Sequence, residues 1–183
     1  MPHQALLVMD VQQAVVDRYP DPGYLPRLRS AIDAARAADV PVVYVAVGFR
    51  PGYPEVSTRN KMFGRLAGRP QAPGSEQAMR IHPDVAPEAQ DIIVTKSRVS
   101  AFAGSDLDMV LRARGIEELV LAGVATSGVV LSTLRQAADL DYGIVVLGDG
   151  CLDNDPEVHR VLVDKVFPQQ AEVTTVADWA AAR

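Results

Sequence analysis

Short β-branched runs alternate with helical patterns along this chain, and that alternation constrains its fold more than any other feature. The runs are "ALLVMD" (5–10), "VPVVYVAVG" (40–48), "DIIVTK" (91–96), "ELVLA" (118–122), "GIVVLGD" (143–149) and a short sixth at 171–175. Strands separated by helical stretches read as βαβ units, and βαβ units build a parallel sheet. The first run is apolar almost throughout instead of alternating, as a strand covered on both faces requires, so it is expected at the centre of the sheet. Leu25, Leu28, Ile32 and Ala35 recur at helical spacing within 24–38. Ser105 stands three residues before Asp108 and Gly115 follows the last periodic position, which are start and stop signals for a helix over 105–114. A helix is expected over 127–140. Another opens with Asp155 as N-cap and Pro156 at the first helical position, and a terminal helix closes the chain. The predicted class is α/β, with helices covering both faces of a parallel sheet.

A chain of 183 residues is most simply one domain, 1–183, large enough to bury about two thirds of its unfolded surface around a single core. Residues 49–90, rich in Pro, Gly, Arg and Gln, interrupt the alternation. So long an excursion in an α/β domain is expected to serve the active site or an oligomer interface. The 23 acidic against 18 basic residues, a formal charge of -5, argue against a nucleic-acid partner, because phosphate-backbone binders concentrate Lys and Arg on one face. The single cysteine, Cys151, has no partner for an internal disulfide, which fits a reducing compartment. "MPHQALLVMD" lacks the basic region and long apolar run of a secretory leader, and no stretch reaches the ~18 apolar residues of a membrane span. A cytoplasmic protein with no membrane association is expected.

In open parallel sheets, ligands bind at the carboxyl ends of the strands. Asp10 ends the first run, Lys96 the third and Asp149 the fifth, with Cys151 close by. An Asp at a strand end is often only a turn former. An ammonium closing an apolar strand, however, requires a partner or a function. The fourth run passes through Gly123 into "ATSGVVLST", a sharp strand-to-helix elbow of the kind on which enzymes present a nucleophile. Its tip carries Val129, which has no chemistry to offer.

Three segments, "LLVMDVQ" (6–12), "IIVTKSRVSAF" (92–102) and "LVLAGVATSGVVLSTLRQAADLDY" (119–142), resemble in order and spacing the signature blocks of the isochorismatase-like hydrolase family, within the cysteine hydrolase superfamily. The likeness covers nearly the whole chain. It implies a three-layer α/β/α fold around a Rossmann-like six-stranded parallel sheet. Most members are cysteine hydrolases acting on amides, such as nicotinamidases and N-carbamoylsarcosine amidases. The resemblance implies an Asp general base at Asp10, a lysine at Lys96 and a nucleophilic Cys after "TSG", where this chain has Val129. Without sulfur there, acyl-enzyme chemistry is lost. The isochorismatases proper carry Gly at that place and cleave a vinyl ether, with the Asp as the general acid that protonates an alkene carbon. Asp10 and Lys96 suffice for chemistry of that kind. Val129 is larger than Gly and narrows the pocket, which argues against isochorismate itself.

No other residue is expected to replace the thiol. Cys151 lies beyond the fifth run, about one strand spacing of ~4.8 Å or more from the elbow strand, and reads as a small buried hydrophobe. Ser127 reads as the N-cap of the elbow helix, and Thr126 as bonded within the turn. The elbow main chain, Ala125, Thr126, Ser127 and Gly128 together with the N–H of Val129, is expected to border the substrate and hold an oxyanion. Gln12, in the resembling "D-x-Q", is expected to brace the loop after strand one. Arg50 and Tyr53 follow strand two, where a guanidinium could take a substrate carboxylate, and Phe102 completes the expected substrate-binding set. "VAVGFRPGYPEVS" (45–57) has no His, and His82 and His159 read as ordinary surface or core histidines, so neither metal nor cofactor is expected. Two functions follow: a small-molecule hydrolase using Asp10 and Lys96 without covalent catalysis, or a noncatalytic relative that keeps the pocket for binding or assembly. With 48% hydrophobic residues and an apolar elbow helix, a homo-oligomer, dimer or higher, is expected.

Overall fold

A computed structural model describes residues 3–70 and 74–183. Six strands, β1 (Gln4–Met9), β2 (Val42–Val47), β3 (Ile92–Lys96), β4 (Glu118–Val124), β5 (Gly143–Leu152) and β6 (Glu172–Thr174), form one sheet in the order β3-β2-β1-β4-β5-β6. Every neighbouring pair is parallel. The chain winds outward from β1 through β2 to β3, then returns to lay β4 on the other side of β1. In open sheets of this kind ligands bind where the order reverses, which here is at the carboxyl ends of β1 and β4.

The all-apolar reading of the first strand explains its central place. Leu6 and Val8 belong to one core layer and Ala5, Leu7 and Met9 to the other, each fully buried. Burying one such leucine contributes about 1.5–3 kcal/mol. On the first face, Leu28, Ala31, Ile32 and Ala35 of α2 (Tyr24–Ala37) pack with Trp179 of α7 (Val176–Ala181). On the second, α4 (Leu107–Ala113) and α5 (Leu131–Asp139) supply Leu107, Leu111, Leu134 and Ala137. Gly115, with φ +63°, ends α4: its N–H donates to Arg112 O and that of Ile116 to Leu111 O, the paired bonds of a left-handed helix terminus. Ser105 accepts the Leu107 N–H at 3.3 Å and makes no reciprocal box with Asp108, so α4 starts two residues later than its sequence signals. Asp155 caps α6 (Pro156–Val161) by accepting the Glu157 and Val158 N–H groups.

Two further elements depart from expectation. The fifth strand does not stop at 149. Leu121 faces Val146 but Gly123 faces Cys151, so three extra residues of β5 bulge out before pairing resumes at Cys151 and Leu152. The elbow helix is not continuous from 127 either: Thr126–Val130 form one π-helical turn, and α-helical geometry begins at Leu131. Gly123 is required where β4 meets β1. It has φ +150°, and a Cβ there would stand 2.3 Å from Met9 O.

Within the excursion, residues 71–73 lie outside the described ones; the remainder holds a 3₁₀ turn at Gly64–Leu66, the short α3 (Ser75–Ala78) and a second 3₁₀ turn at Pro83–Val85. Its end returns to the loop after β1, which also carries the short α1 (Gln13–Val16): Gln13 N–H donates to Arg80 O, His82 N–H to Val11 O, and Gln12 bridges antiparallel to Ile81. Among the described residues no helix is long and apolar enough to cross a membrane.

Candidate active site

Asp10 follows β1 directly and turns the chain with φ +55°, a conformation uncommon outside glycine. Lys96, the last residue of β3, reaches back across β2 to meet it. Its Nζ donates to Asp10 Oδ2 at 2.9 Å, to Arg98 O at 2.9 Å and to Val99 O at 3.1 Å, which uses all three ammonium protons. Lys96 is 1% exposed, so without these acceptors its charge would cost several kcal/mol. The acceptor segment is itself held from α5: Ala101 N–H donates to Thr133 Oγ1 at 2.9 Å, and Ser100 Oγ donates to Gln136 Oε1 at 2.7 Å.

The other Asp10 oxygen, Oδ1, is buried without a hydrogen-bond partner among the described residues. Burial lifts the Asp10 carboxyl from its ordinary 3.8 to about 6, with the charge and hydrogen bond of Lys96 pulling the other way. The pair is therefore a carboxyl group poised near neutrality, one oxygen anchored and the other free. Such a group can give or take a proton.

The elbow is built differently. Val129 is 2% exposed and packs into the core layer that holds Met9, Phe102 and Val130. Ser127 is exposed, and the cap runs the other way from the sequence reading: its main-chain N–H donates to Asp153 Oδ2 at 2.7 Å, so a carboxylate from the β5–α6 connection takes the place of a serine cap. Thr126 is fully buried, and its hydroxyl lies 2.8 Å from His159 Nδ1 on α6 instead of bonding within the turn. The Gly128 and Val130 N–H groups donate to Ala125 O, so they and the Ser127 N–H already have acceptors. This reduces the oxyanion-holding capacity expected of the elbow.

Other sequence candidates scatter. Gln12 spends its amide on main chain, donating to Val47 O and Met79 O and accepting from Val47 N–H, so it ties the loop after β1 to β2 and to the returning excursion. Arg50 has a side chain 76% exposed and set against Glu55 at 3.6 Å. Tyr53 packs on Phe49 with ring centres 5.9 Å apart. Phe102 is buried and stacks on Tyr142, which makes it core and not an open lining. Asp149 does not converge on Asp10: it accepts the Val176 N–H at 2.7 Å and starts α7. Cys151 is 1% exposed, opposite Gly123, and burial pushes its thiol up to about 12, which makes it a poor nucleophile. His82 caps the 3₁₀ turn at 83–85 through Nδ1.

Sequence reasoning missed Tyr19, Asp153 and His159. Burial raises the Tyr19 hydroxyl above its usual range, and the charges of Asp153 and Asp10 add to the effect, which sets this phenol within electrostatic reach of both carboxylates. The signal for Asp153 and His159 was the segment "DNDPEVH", where only the helix cap was read.

A doubly wound sheet with a lysine-anchored carboxyl group at its switch point carries an acid–base pair where open α/β sheets bind their ligands. The chain belongs to the isochorismatase family, whose domain, described as "Isochorismatase domain", matches residues 4–178. It is 33% identical over 198 aligned residues to the ureidoacrylate amidohydrolase RutB of Stutzerimonas stutzeri, across 94% of this chain and 75% of that protein. The protein of the same name from Rhizobium rhizogenes is 34% identical over 173 residues, across 87% of this chain and 70% of that one. Among solved structures, an isochorismatase family protein from Burkholderia thailandensis aligns with a TM-score of 0.87 at 29% identity, covering 100% of this chain and 96% of that one. The N-carbamoylsarcosine amidase of Thermoplasma acidophilum aligns with a TM-score of 0.73 at 26% identity, covering 94% and 96%.

Proposed function

We propose that this chain hydrolyses an enol-ether or amide-like bond of a small organic molecule through Asp10 and Lys96, with water in place of a protein thiol as the nucleophile. The observation that carries the reading is the state of Asp10: buried, raised to about 6, held at Oδ2 by Lys96 and free at Oδ1. The substrate lies between Oδ1 and the elbow, whose position 129 holds Val instead of a nucleophile.

For an amide-like bond, the Asp10 carboxylate takes a proton from water as its oxygen attacks the carbonyl carbon. The protonated Asp10 then returns that proton to the leaving nitrogen as the C–N bond breaks. For an enol ether, protonated Asp10 delivers its proton to the alkene carbon, water adds to the oxocarbenium carbon, its spare proton returns to Asp10, and the hemiacetal or hemiketal collapses to a carbonyl and an alcohol. In both routes Asp10 carries the proton and water is the nucleophile. The names of the amidohydrolase relatives favour the amide side.

Turnover of a panel of N-carbamoyl compounds, simple amides and enol ethers, measured for the wild type and for Asp10→Asn, tests the proposal. Hydrolysis of at least one class, lost in the variant, is expected. A panel left untouched by the wild type would move the assignment to a ligand-binding protein, a reading favoured by one observation, the burial of Val129 at the nucleophile's place. We also propose a homo-oligomer. Support comes from Ile93 on the edge strand β3 and Met109 on α4, which are 56% and 67% exposed. A light-scattering mass near 19.7 kDa would count against it.

A further inference from the structure

Two consecutive residues of the elbow are held by one short segment far along the chain. Ser127 N–H donates to Asp153 Oδ2 at 2.7 Å, and the buried Thr126 hydroxyl lies 2.8 Å from His159 Nδ1. The supporting segment is closed on itself. The Asp155 N–H donates to Asp153 Oδ1 at 3.4 Å, Asp155 caps α6, and the His159 N–H donates to Asp155 O at 3.0 Å. The hydrogen bonds thus form a ring: elbow, Asp153, Asp155, α6, His159 and back to the elbow. The strand beneath is pinned as well, by the pairing of Gly123 and Val124 with Cys151 and Leu152.

We propose that Asp153 and His159 are positioning residues for the reaction, a clamp that fixes the elbow against Asp10 and Lys96. The inference rests on the hydrolytic site proposed above but is read without substrate. A group that only filled space would bond to whatever surface it met. These two bond to adjacent residues of the turn that leaves β4, whose Gly123 pairs with Met9, the residue before Asp10, and a displacement of about 1 Å in such a place costs on the order of 10²-fold in rate. The charged groups around His159 are Asp153 and Asp164, whose charges oppose the effect of burial on the imidazole, with Glu157 and Arg160 on its own helix.

The test uses a thiol as a position reporter. Val129 is 2% exposed, so in Val129→Cys made with Cys151→Ser a clamped elbow shields the thiol, and its rate of alkylation by iodoacetamide at pH 7 reports how firmly the elbow is held. Adding His159→Ala or Asp153→Ala should raise that rate about tenfold while the melting temperature stays within a few degrees. His159→Asn, which places a hydrogen-bonding atom where Nδ1 was, should restore the slow rate. Thr126→Val should reproduce the rise, and combining it with His159→Ala should add nothing further. A rate unchanged within twofold in both alanine variants overturns the clamp. If no substrate is found and the thiol's rate still depends on His159, the hydrolytic reading falls and the clamp stands.

Discussion

The floor and the elbow of the crevice are made from opposite materials. At the floor a carboxyl group and an ammonium are buried together, and every ammonium proton has an acceptor. At the elbow the central side chain is a buried valine, and the polar work is done by main chain and by residues some 25 to 35 positions away in sequence. The floor is fixed by charge and cannot be altered on one side alone, because a lone buried ion is costly. The elbow is fixed by hydrogen bonds to its main chain and to Thr126, which do not involve the side chain at 129. The ionisable groups thus stand at the floor, and the elbow tip presents an apolar side chain.

That contrast is broken most directly by Asp10→Asn, which retains size and should lower turnover of a productive substrate by about 10²- to 10⁴-fold. Activity within threefold of the wild type would remove Asp10 from the mechanism. Lys96→Met attacks the other half of the pair. It leaves Asp10 Oδ2 and the Arg98 and Val99 carbonyls without their donor, and should cost about 3–5 kcal/mol of stability in denaturant titrations. It should also drive the Asp10 carboxyl further upward from about 6, because the lysine was the influence lowering it.

The pH dependence sharpens the picture of the floor. The folded-state value of about 6 lies above the ordinary 3.8, so the folded protein holds this proton more tightly than the unfolded chain. The contribution of Asp10 to stability is therefore fully present below pH 3.8 and is lost as pH rises through about 6, a change on the order of 3 kcal/mol. Denaturation series in wild type and Asp10→Asn should differ by that slope. For catalysis, the acid role with an enol ether predicts a rate falling above pH 6, and the base role with an amide predicts a rate falling below it.

At the elbow the expected effects are smaller. Val129→Cys in a Cys151→Ser background should give a thiol alkylated at pH 7 more slowly than glutathione, because position 129 is 2% exposed and burial disfavours the thiolate there as it does at Cys151. A thiol alkylated faster than glutathione would instead place the elbow tip within reach of Lys96 and of solvent. The smallest effect is expected of Cys151→Ser alone. Its activity should stay within threefold of the wild type, and a folded but inactive variant would make Cys151 the displaced nucleophile.

How legible each part was follows from how local its physics is. The central place of β1, the termini of α4 and the cap of α6 could be read because apolar runs, Gly115 and the Asp155–Pro156 pair act on their own neighbourhood. The meeting of Asp10 with Lys96 could be anticipated, since strand ends converge in any parallel sheet. The surroundings of Arg50, Phe102 and Asp149 could not be read, because being near a strand end in sequence does not say which way a side chain turns: Glu55, Tyr142 and the Val176 N–H are their neighbours in the fold. Tyr19, Asp153 and His159 were invisible because their roles depend on contacts across the fold. The bulge in β5 that brings Asp153 to the elbow leaves no periodic trace.

That bulge has a consequence for how such a protein can change over time. Because β5 swells by three residues before pairing with Gly123 again, the reach of Asp153 to Ser127 is set by a count of residues between 147 and 151. The loss of one residue there would bring Leu152 opposite Gly123 and draw Asp153 past its target. A substitution at 129 leaves that count untouched. The spacing downstream encodes where the elbow stands, and a separate codon encodes what it carries, so the tip can exchange one side chain for another in a single mutational step while its scaffold is inherited intact.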